Sequence, residues 1–259
     1  MENAGTLGSR SEQAANAGAV SRVMALPYAL VAYVVGVGGL AWLGLSLAEV
    51  TSWPRLVVVA GDAGGLAVDL GLVLLFGLSH SVMARQGFKK WWTQLVPWWA
   101  ERSTYVLIAG IVLAVMVSFW QPLPGAAWTV NGPWASLLWG LCAFGWLYLL
   151  LSTWAIDHFD LFGLRQAYLH AVGRKYTPVE FEQKWMYRYS RHPIMAGILL
   201  GVWATPRMTT GHLVMAVALS IYIVIGVAYE ERDLLLRFGD TYRRYRERVG
   251  ALFTAPGGG

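Results

Sequence analysis

Apolar residues fall along this chain in long unbroken runs, not at the 3.6- or 2-residue spacing of half-buried soluble elements. Between Arg22 and Glu49 no residue is charged, enough for one helix to cross a bilayer at roughly 20 residues per crossing. A second run, predicted as a helix over 65–83, is interrupted by Asp69 and carries His80 near its far end. From Ser103 to Ile156 there is again no charge, and Gln121, Pro122, Pro124, Gly125 and Asn131–Pro133 break that stretch into two spans, 103–120 and 134–156. After a polar stretch from Asp157 to Arg191, the last run, 194–229, is split by Thr205-Pro206-Arg207. Its first half has only about a dozen residues, so it is either a thin span or half of a tight hairpin. Gly197 and Gly201 there form a G-x-x-x-G pair suited to close helix packing. The pattern predicts an all-α, polytopic transmembrane bundle of five to six spans with a C-terminal helical hairpin.

Composition sharpens this reading. The chain is 56% hydrophobic and 14% charged, with a mean hydropathy of +0.47. Soluble domains carry roughly a quarter charged residues. Disordered proteins, nucleic-acid-binding arms and ordinary soluble enzymes are excluded, and the lone Cys142 excludes a disulfide scaffold. Fourteen Trp and twelve Tyr suit a protein with two membrane–water interfaces. Eighteen of the twenty Lys and Arg fall in the N-terminal tail, 84–102, 157–191 and 230–250, leaving only Arg55 and Arg207 in the opposite loops. The positive-inside rule makes the basic side cytoplasmic, with both termini inside, in an inner membrane. Topology and anionic lipid then account for the net charge of +5, without nucleic acid. We expect a loose tail over 1–22, one membrane domain over 23–250 and a flexible tail over 251–259.

Polar chemistry gathers at the cytoplasmic ends of the predicted helices. His80, with Ser81 and Arg85, lies in the last turns of the second span, where an ionisable group is a functional candidate. The plainer alternative is an interfacial His at a helix C-terminus. Asp157, His158 and Asp160 follow the fourth span; a polar pocket wall is favoured over metal binding. Glu230 and Glu231 end the last span, and adjacent carboxylates on a helix face different ways, so at most one points inward. Asp69 reads as a charge at a helix start in the outer interface, and Trp91-Trp92 and Trp98-Trp99 with Lys89 and Lys90 as an interfacial amphipathic segment. No dinucleotide, Walker, zinc-protease or nucleophile-elbow motif is present.

Arg191-His192-Pro193-Ile194-Met195-Ala196-Gly197, then Glu230-Glu231, then Phe238-Gly239-Asp240-Thr241-Tyr242-Arg243-Arg244-Tyr245 form a series over 187–250. It resembles the C-terminal signature of the integral-membrane methyltransferases related to isoprenylcysteine carboxyl methyltransferase and the phospholipid methyltransferases. Met195 stands where that family carries Tyr, and Ala251-Leu252-Phe253 replaces its closing Ile-Pro; both departures bear on substrate rather than cofactor. His80–Arg85 with Glu101–Tyr105 resembles the NnrU-like branch. Asp157–Gln166 and Trp203-Ala204-Thr205-Pro206 resemble thiol S-methyltransferases.

The resemblance implies S-adenosylmethionine as methyl donor, leaving S-adenosylhomocysteine, in a cytoplasmic cap. Tyr187, Arg191, His192, Pro193, Gly197, Glu230 and Glu231 would line the cofactor, a carboxylate meeting its amine or ribose and Arg or His its carboxylate. The substrate would be a small volatile thiol, near His158, Arg165, Gln166 and Tyr245. His80 would take the thiol proton with Asp160 orienting it, or Arg85 or Arg165 would instead supply a positive field that favours the thiolate. The alternatives are a larger lipidic thiol, carboxylate or amine as acceptor, or a non-enzymatic membrane protein of the NnrU type. The partners implied are the thiol and membrane lipid; no metal and no obligatory protein partner is evident.

Overall fold

The computed structural model describes residues 4–177 and 183–252. The helices are α1 (Ala4–Leu47), α2 (Asp62–Ala84), α3 (Gln86–Trp92), α4 (Glu101–Phe119), α5 (Pro133–Ile156), α6 (His158–Leu161), α7 (Leu164–Ala171), α8 (Pro193–Trp203), α9 (Thr210–Phe238) and α10 (Asp240–Arg248). Two short strands, β1 (Ala126–Thr129) and β2 (Arg207–Thr209), pair antiparallel. Five helices, counting α1 from Gly18, are long and apolar enough to cross a membrane: α1, α2, α4, α5 and α9. The chain is a multi-pass, all-helical membrane protein, as its hydropathy predicts.

Contacts at the helix ends define two faces. Glu49 pairs with Arg207, Leu56 N–H donates to Ser118, and Val130 N–H donates to Pro206, all on a ladder face beside β1 and β2. Ser21 meets His170, Arg85 meets Asp233, and Arg191 meets Glu231 on the opposite, cap face. Both ends of the described chain therefore lie on the cap face after six passages. The sixth passage is α8, only 11 residues long, which rises about 16 Å. Ala204–Pro206 then carries the chain to β2 without helix, so the short apolar run is both a thin passage and half of a hairpin with α9.

Several expectations are corrected. The segment expected as a loose tail enters α1, which begins at Ala4; Ala14, Ala15, Ala17 and Ala19 favour helix and no proline interrupts them. Residues 1–3 and 253–259 of the expected tails lie outside the described residues. The turn expected after Phe119 contains β1, whose ladder with β2 supplies backbone partners where neither helix continues. Asp69 does not start a helix at the interface. It lies two turns inside α2, fully buried, and accepts the Gln121 N–H at 2.8 Å, so it caps the broken end of α4.

Glycine decides how closely α8 packs on α5. A Cβ on Gly145 would stand 2.5 Å from the Gly201 nitrogen, and one on Gly197 would stand 2.7 Å from both the Gly145 carbonyl oxygen and the Leu149 nitrogen. The Cys142 thiol donates to the Gly201 carbonyl in the same seam. Lipid gives no hydrophobic drive for helix pairing, so this close fit holds α8 against α5 and sets where the chain preceding α8 begins. Gly145→Val should cost about 1–3 kcal/mol or more from overpacking. Thermal unfolding in detergent would measure it. Gly140→Val, at a site where an added Cβ would meet no heavy atom within 4 Å, should leave the midpoint near that of the parent chain.

Candidate functional site

The cap is built on Arg191, just before α8, and Glu231, near the end of α9. The Arg191 Nε donates to Glu231 Oε1 at 2.7 Å and Nη2 meets the same oxygen at 2.6 Å. Nη1 donates to the carbonyls of Arg246 and Val249. The backbone N–H groups of Arg191 and His192 donate to Gly250 and Ala251. Arg246 closes the set, its Nε 3.4 Å from Glu231 Oε2. Tyr245, fully buried, donates its hydroxyl to the Tyr187 carbonyl at 2.5 Å. The Arg-His-Pro, Glu-Glu and Tyr-x-x-Tyr parts of the sequence signature are thus one hydrogen-bonded unit.

His192 caps the start of α8, with Pro193 at the first helical position, where its missing N–H costs nothing. Its ring lies between the two adjacent carboxylates: Nε2 is 3.3 Å from Glu231 and Nδ1 is 3.3 Å from Glu230. Glu231 is buried and Glu230 has a half-exposed side chain, so only one of the pair turns inward. Tyr187 is close enough to feel Glu230: burial, then the Glu230 charge, push its phenol well above the ordinary range. Glu230 therefore forms an exposed rim beside the buried His192 ring and the partly buried Tyr187, next to the closed Arg191–Glu231 pair. Glu230 offers a carboxylate to solvent beside a polar ring, which suits a ligand bearing a cationic group.

Arg191 and Gly197 do not fit the ligand roles expected of them. All three guanidinium nitrogens of Arg191 hold protein acceptors, and Gly197 faces α5, where a Cβ would strike backbone. Both shape the site from behind.

A second cluster lies deeper, between α2, α4 and α9. The Tyr105 hydroxyl is 2.7 Å from His80 Nε2 and 3.0 Å from Nδ1. Phe76 stacks on the His80 ring at 5.1 Å, and Tyr222 stands edge-on to it at 6.4 Å. Ser81 donates to the Tyr222 hydroxyl at 3.3 Å. Tyr222 and Glu230 are eight residues apart on α9, about 12 Å along its axis, so His80 sits two turns inside the rim. Arg85 lies between, its guanidinium 4.5 Å above the Tyr229 ring and 3.5 Å from Asp233.

The Asp157–Gln166 segment forms a third, separate group. Asp160 accepts from Arg165 at 3.2 Å and from Tyr176 at 3.1 Å, and Arg165 also donates to Thr177. The orienting partner expected for His80 is therefore engaged elsewhere, and Tyr105 takes that place. His158 is buried, with Nδ1 2.7 Å from Thr153, Nε2 2.9 Å from Tyr33 and its ring stacked on Trp154 at 4.4 Å. Gln166 is buried on α7, which packs on α1. With Tyr245 tied to Tyr187, three of these four expected substrate contacts, His158, Arg165 and Tyr245, bind other protein groups, while the buried Gln166 Oε1 has no hydrogen-bond partner among the described residues. Their polar sequence pattern suits a satisfied interior as well as a site.

Sequence reasoning missed Tyr105, Tyr222 and Arg246 as site members. Tyr222 carried a signal: it is a phenol inside an otherwise apolar run, spaced at eight residues from Glu230 on one helix.

Two expectations follow. Glu231→Gln breaks a buried pair and should lower stability by about 3 kcal/mol or more, while the half-exposed Glu230→Gln should leave the unfolding midpoint nearly unchanged. Burial pushes the His158 and His170 imidazoles down, against Asp157 at the former and with Arg22 at the latter. The unfolded chain then binds more protons below about pH 6.5, so stability is complete above that pH and declines as pH falls. The unfolding midpoint should drop from pH 7 to pH 5, and His158→Gln should reduce the slope of that drop.

Comparison with known proteins fits this arrangement. The chain is 49% identical over 195 residues to methanethiol S-methyltransferase of Mycobacterium tuberculosis (strain ATCC 25618 / H37Rv), covering 74% of this chain and 80% of that protein. It is 44% identical over 188 residues to methanethiol S-methyltransferase of Crocosphaera subtropica (strain ATCC 51142 / BH68), covering 72% and 74%. It is 30% identical over 179 residues to nurim of Sus scrofa, covering 65% and 68%. No family model and no solved structure matches the chain. Identities of 49% and 44% to these two methanethiol S-methyltransferases, each covered over more than two thirds of its length, make the chain a methyltransferase enzyme and a member of the methanethiol S-methyltransferase family.

Proposed function

We propose that the chain transfers a methyl group from S-adenosylmethionine to methanethiol, giving dimethyl sulfide and S-adenosylhomocysteine. The observation that carries this is the two-level arrangement of Glu230–His192–Tyr187 above His80–Tyr105, beside the identity to named methanethiol S-methyltransferases. When bound, the cofactor supplies an electrophilic methyl on a sulfonium, so the protein has no covalent intermediate to form.

Glu230, Tyr187 and His192 bind at the rim, Glu230 facing the ammonium or the ribose hydroxyls. Arg191 and Glu231 hold His192 in place. The acceptor sits below, against His80. The thiolate is the reactive form of a thiol. His80 takes the thiol proton on one ring nitrogen, with Tyr105 holding the ring. The proton leaves through His80, while the bound donor would supply its methyl group to the acceptor sulfur and leave as the neutral thioether. Phe76, Tyr105 and Tyr222 wall the acceptor from water. Arg85, the nearest cation on α2, adds positive potential from the rim.

The acceptor and product are small and apolar, and lipid is the solvent for both. The basic distribution supports a cap facing the cytoplasm of an inner membrane, with both termini on that side. We read 23–250 as one membrane methyltransferase domain, 187–250 being its cofactor unit.

The test is methyl transfer by detergent-purified protein, with dimethyl sulfide read by headspace gas chromatography. Product should require both S-adenosylmethionine and methanethiol. His80→Ala should lower kcat about 100-fold or more with S-adenosylhomocysteine affinity kept. Its deficit should shrink as pH rises and free thiolate grows. Cofactor binding without dimethyl sulfide would overturn the small-thiol substrate, and full turnover by His80→Ala would remove His80 from the proton path.

A further inference from the structure

On the ladder face, opposite the cap, an open cavity of ≈ 590 Å³ is lined by polar and charged side chains together with Leu47, Trp53, Trp120, Pro122 and Leu123. That volume is in the range of small-ligand sites. Its charged lining consists of Arg55, Arg207 and Glu49. Arg55 and Arg207 are the two cations that stand apart from the basic side of the chain, and both front this one cavity. Glu49 lies 3.7 Å from Arg207, so the lining keeps a net charge of +1.

The backbone adds to this charge. Gly211 and His212, at the start of the 29-residue α9, also line the cavity, so the positive end of that helix dipole faces it. Thr209 takes the His212 N–H, and its hydroxyl stands at the wall. The buried Asp69 lies behind Gln121 and is tied to its N–H. Glu49 and Arg55 have φ of 57° and 52°, two of the three described non-glycine residues with positive φ. Such conformations cost of order 1 kcal/mol or more and persist where the surroundings enforce them. Here they hold both charged side chains at the rim.

This surface is too polar for a methyl thiol and its sign is wrong for a cationic cofactor, so it does not serve the reaction. We propose that it binds a phosphate-bearing anion, presented by a phospholipid headgroup of that leaflet or taken free from water. Arg55 and Arg207 would form charge-assisted hydrogen bonds with its oxygens, and the α9 start would add the field of its dipole, the Thr210 and His212 N–H groups being held by Gly125 and Thr209.

The test is thermal unfolding of the detergent-purified full chain titrated with inorganic phosphate, or with a six-carbon-chain phosphatidylglycerol, against chloride at matched ionic strength. A saturable rise in the midpoint is expected with at least one probe. Phosphate alone identifies the free anion, and the lipid alone identifies the headgroup. Arg55→Gln, which leaves the Arg207–Glu49 pair in place, should raise the half-saturating concentration tenfold or more, and Arg207→Gln should do likewise. Arg243→Gln, on the cap face, should not change it. No saturable rise with either probe, a rise that chloride reproduces, or equal effects of Arg55→Gln and Arg243→Gln would overturn the proposal.

Discussion

The ion pair between Arg191 and Glu231 is the constraint on which the cap depends. A buried carboxylate is tolerated only when its oxygens are matched by donors, and here Arg191, His192 and Arg246 provide them. Because the same guanidinium also holds the carbonyls of Arg246 and Val249, the pair joins three chain segments: the start of α8, the last turns of α9 and the end of α10. Neutralising either partner would leave the other charged and buried without its ion-pair partner, Glu231 keeping His192 and Arg246, and Arg191 keeping two carbonyls. The rim residues inherit their positions from this pair. His192 is adjacent to Arg191, Glu230 is adjacent to Glu231, and the carbonyl of Tyr187 is held by Tyr245 of the same unit.

The membrane explains why such a polar knot is placed where it is. Within lipid a helix end leaves backbone groups unmatched, so every break in this bundle carries its own polar partner. Asp69 and Gln121 serve the end of α4, the β1–β2 ladder serves the breaks around α5 and α9, and Arg191 serves the loop before α8. The glycine seam between α5 and α8 acts with these partners. It holds an 11-residue helix that could not cross alone, and so fixes the level at which His192 begins it.

The spans were legible in the sequence because hydropathy reports burial in lipid directly. The ends of α2, α4 and α5 fall within a few residues of the charges and prolines that predicted them. The Gly197–Gly201 pair was legible for a similar reason, since small residues four apart have few other uses in an apolar helix. Pairings between polar side chains were not legible. Asp160 and His80 are both polar residues at helix ends on one face, yet Asp160 closes on Arg165 and Tyr176, and His80 on Tyr105. Residue type fixes what a side chain offers, while the rotation of each helix about its axis fixes what it meets, and an all-apolar span such as α5 has little asymmetry from which to read that rotation.

The separation of the two polar levels bears on substrate size. A carboxylate and imidazole at the rim suit a large, charged cofactor that arrives from water. His80 lies about two helical turns inside, walled by Phe76, Tyr105 and Tyr222, with no charged side chain among these ring contacts. A reacting methyl must meet the acceptor sulfur in line, so the acceptor has to reach the inner level without displacing the rings around His80. An acceptor of two heavy atoms meets that demand with its sulfur against the imidazole. A long prenyl or acyl chain would need to leave sideways between α2 and α9, where Tyr222 lies against Gly77 and a Cβ there would stand only 3.3 Å from its ring. On the proposed reading, the rings that would exclude water from a thiolate would also disfavour the larger acceptors, so one packing arrangement would support both reactivity and selectivity.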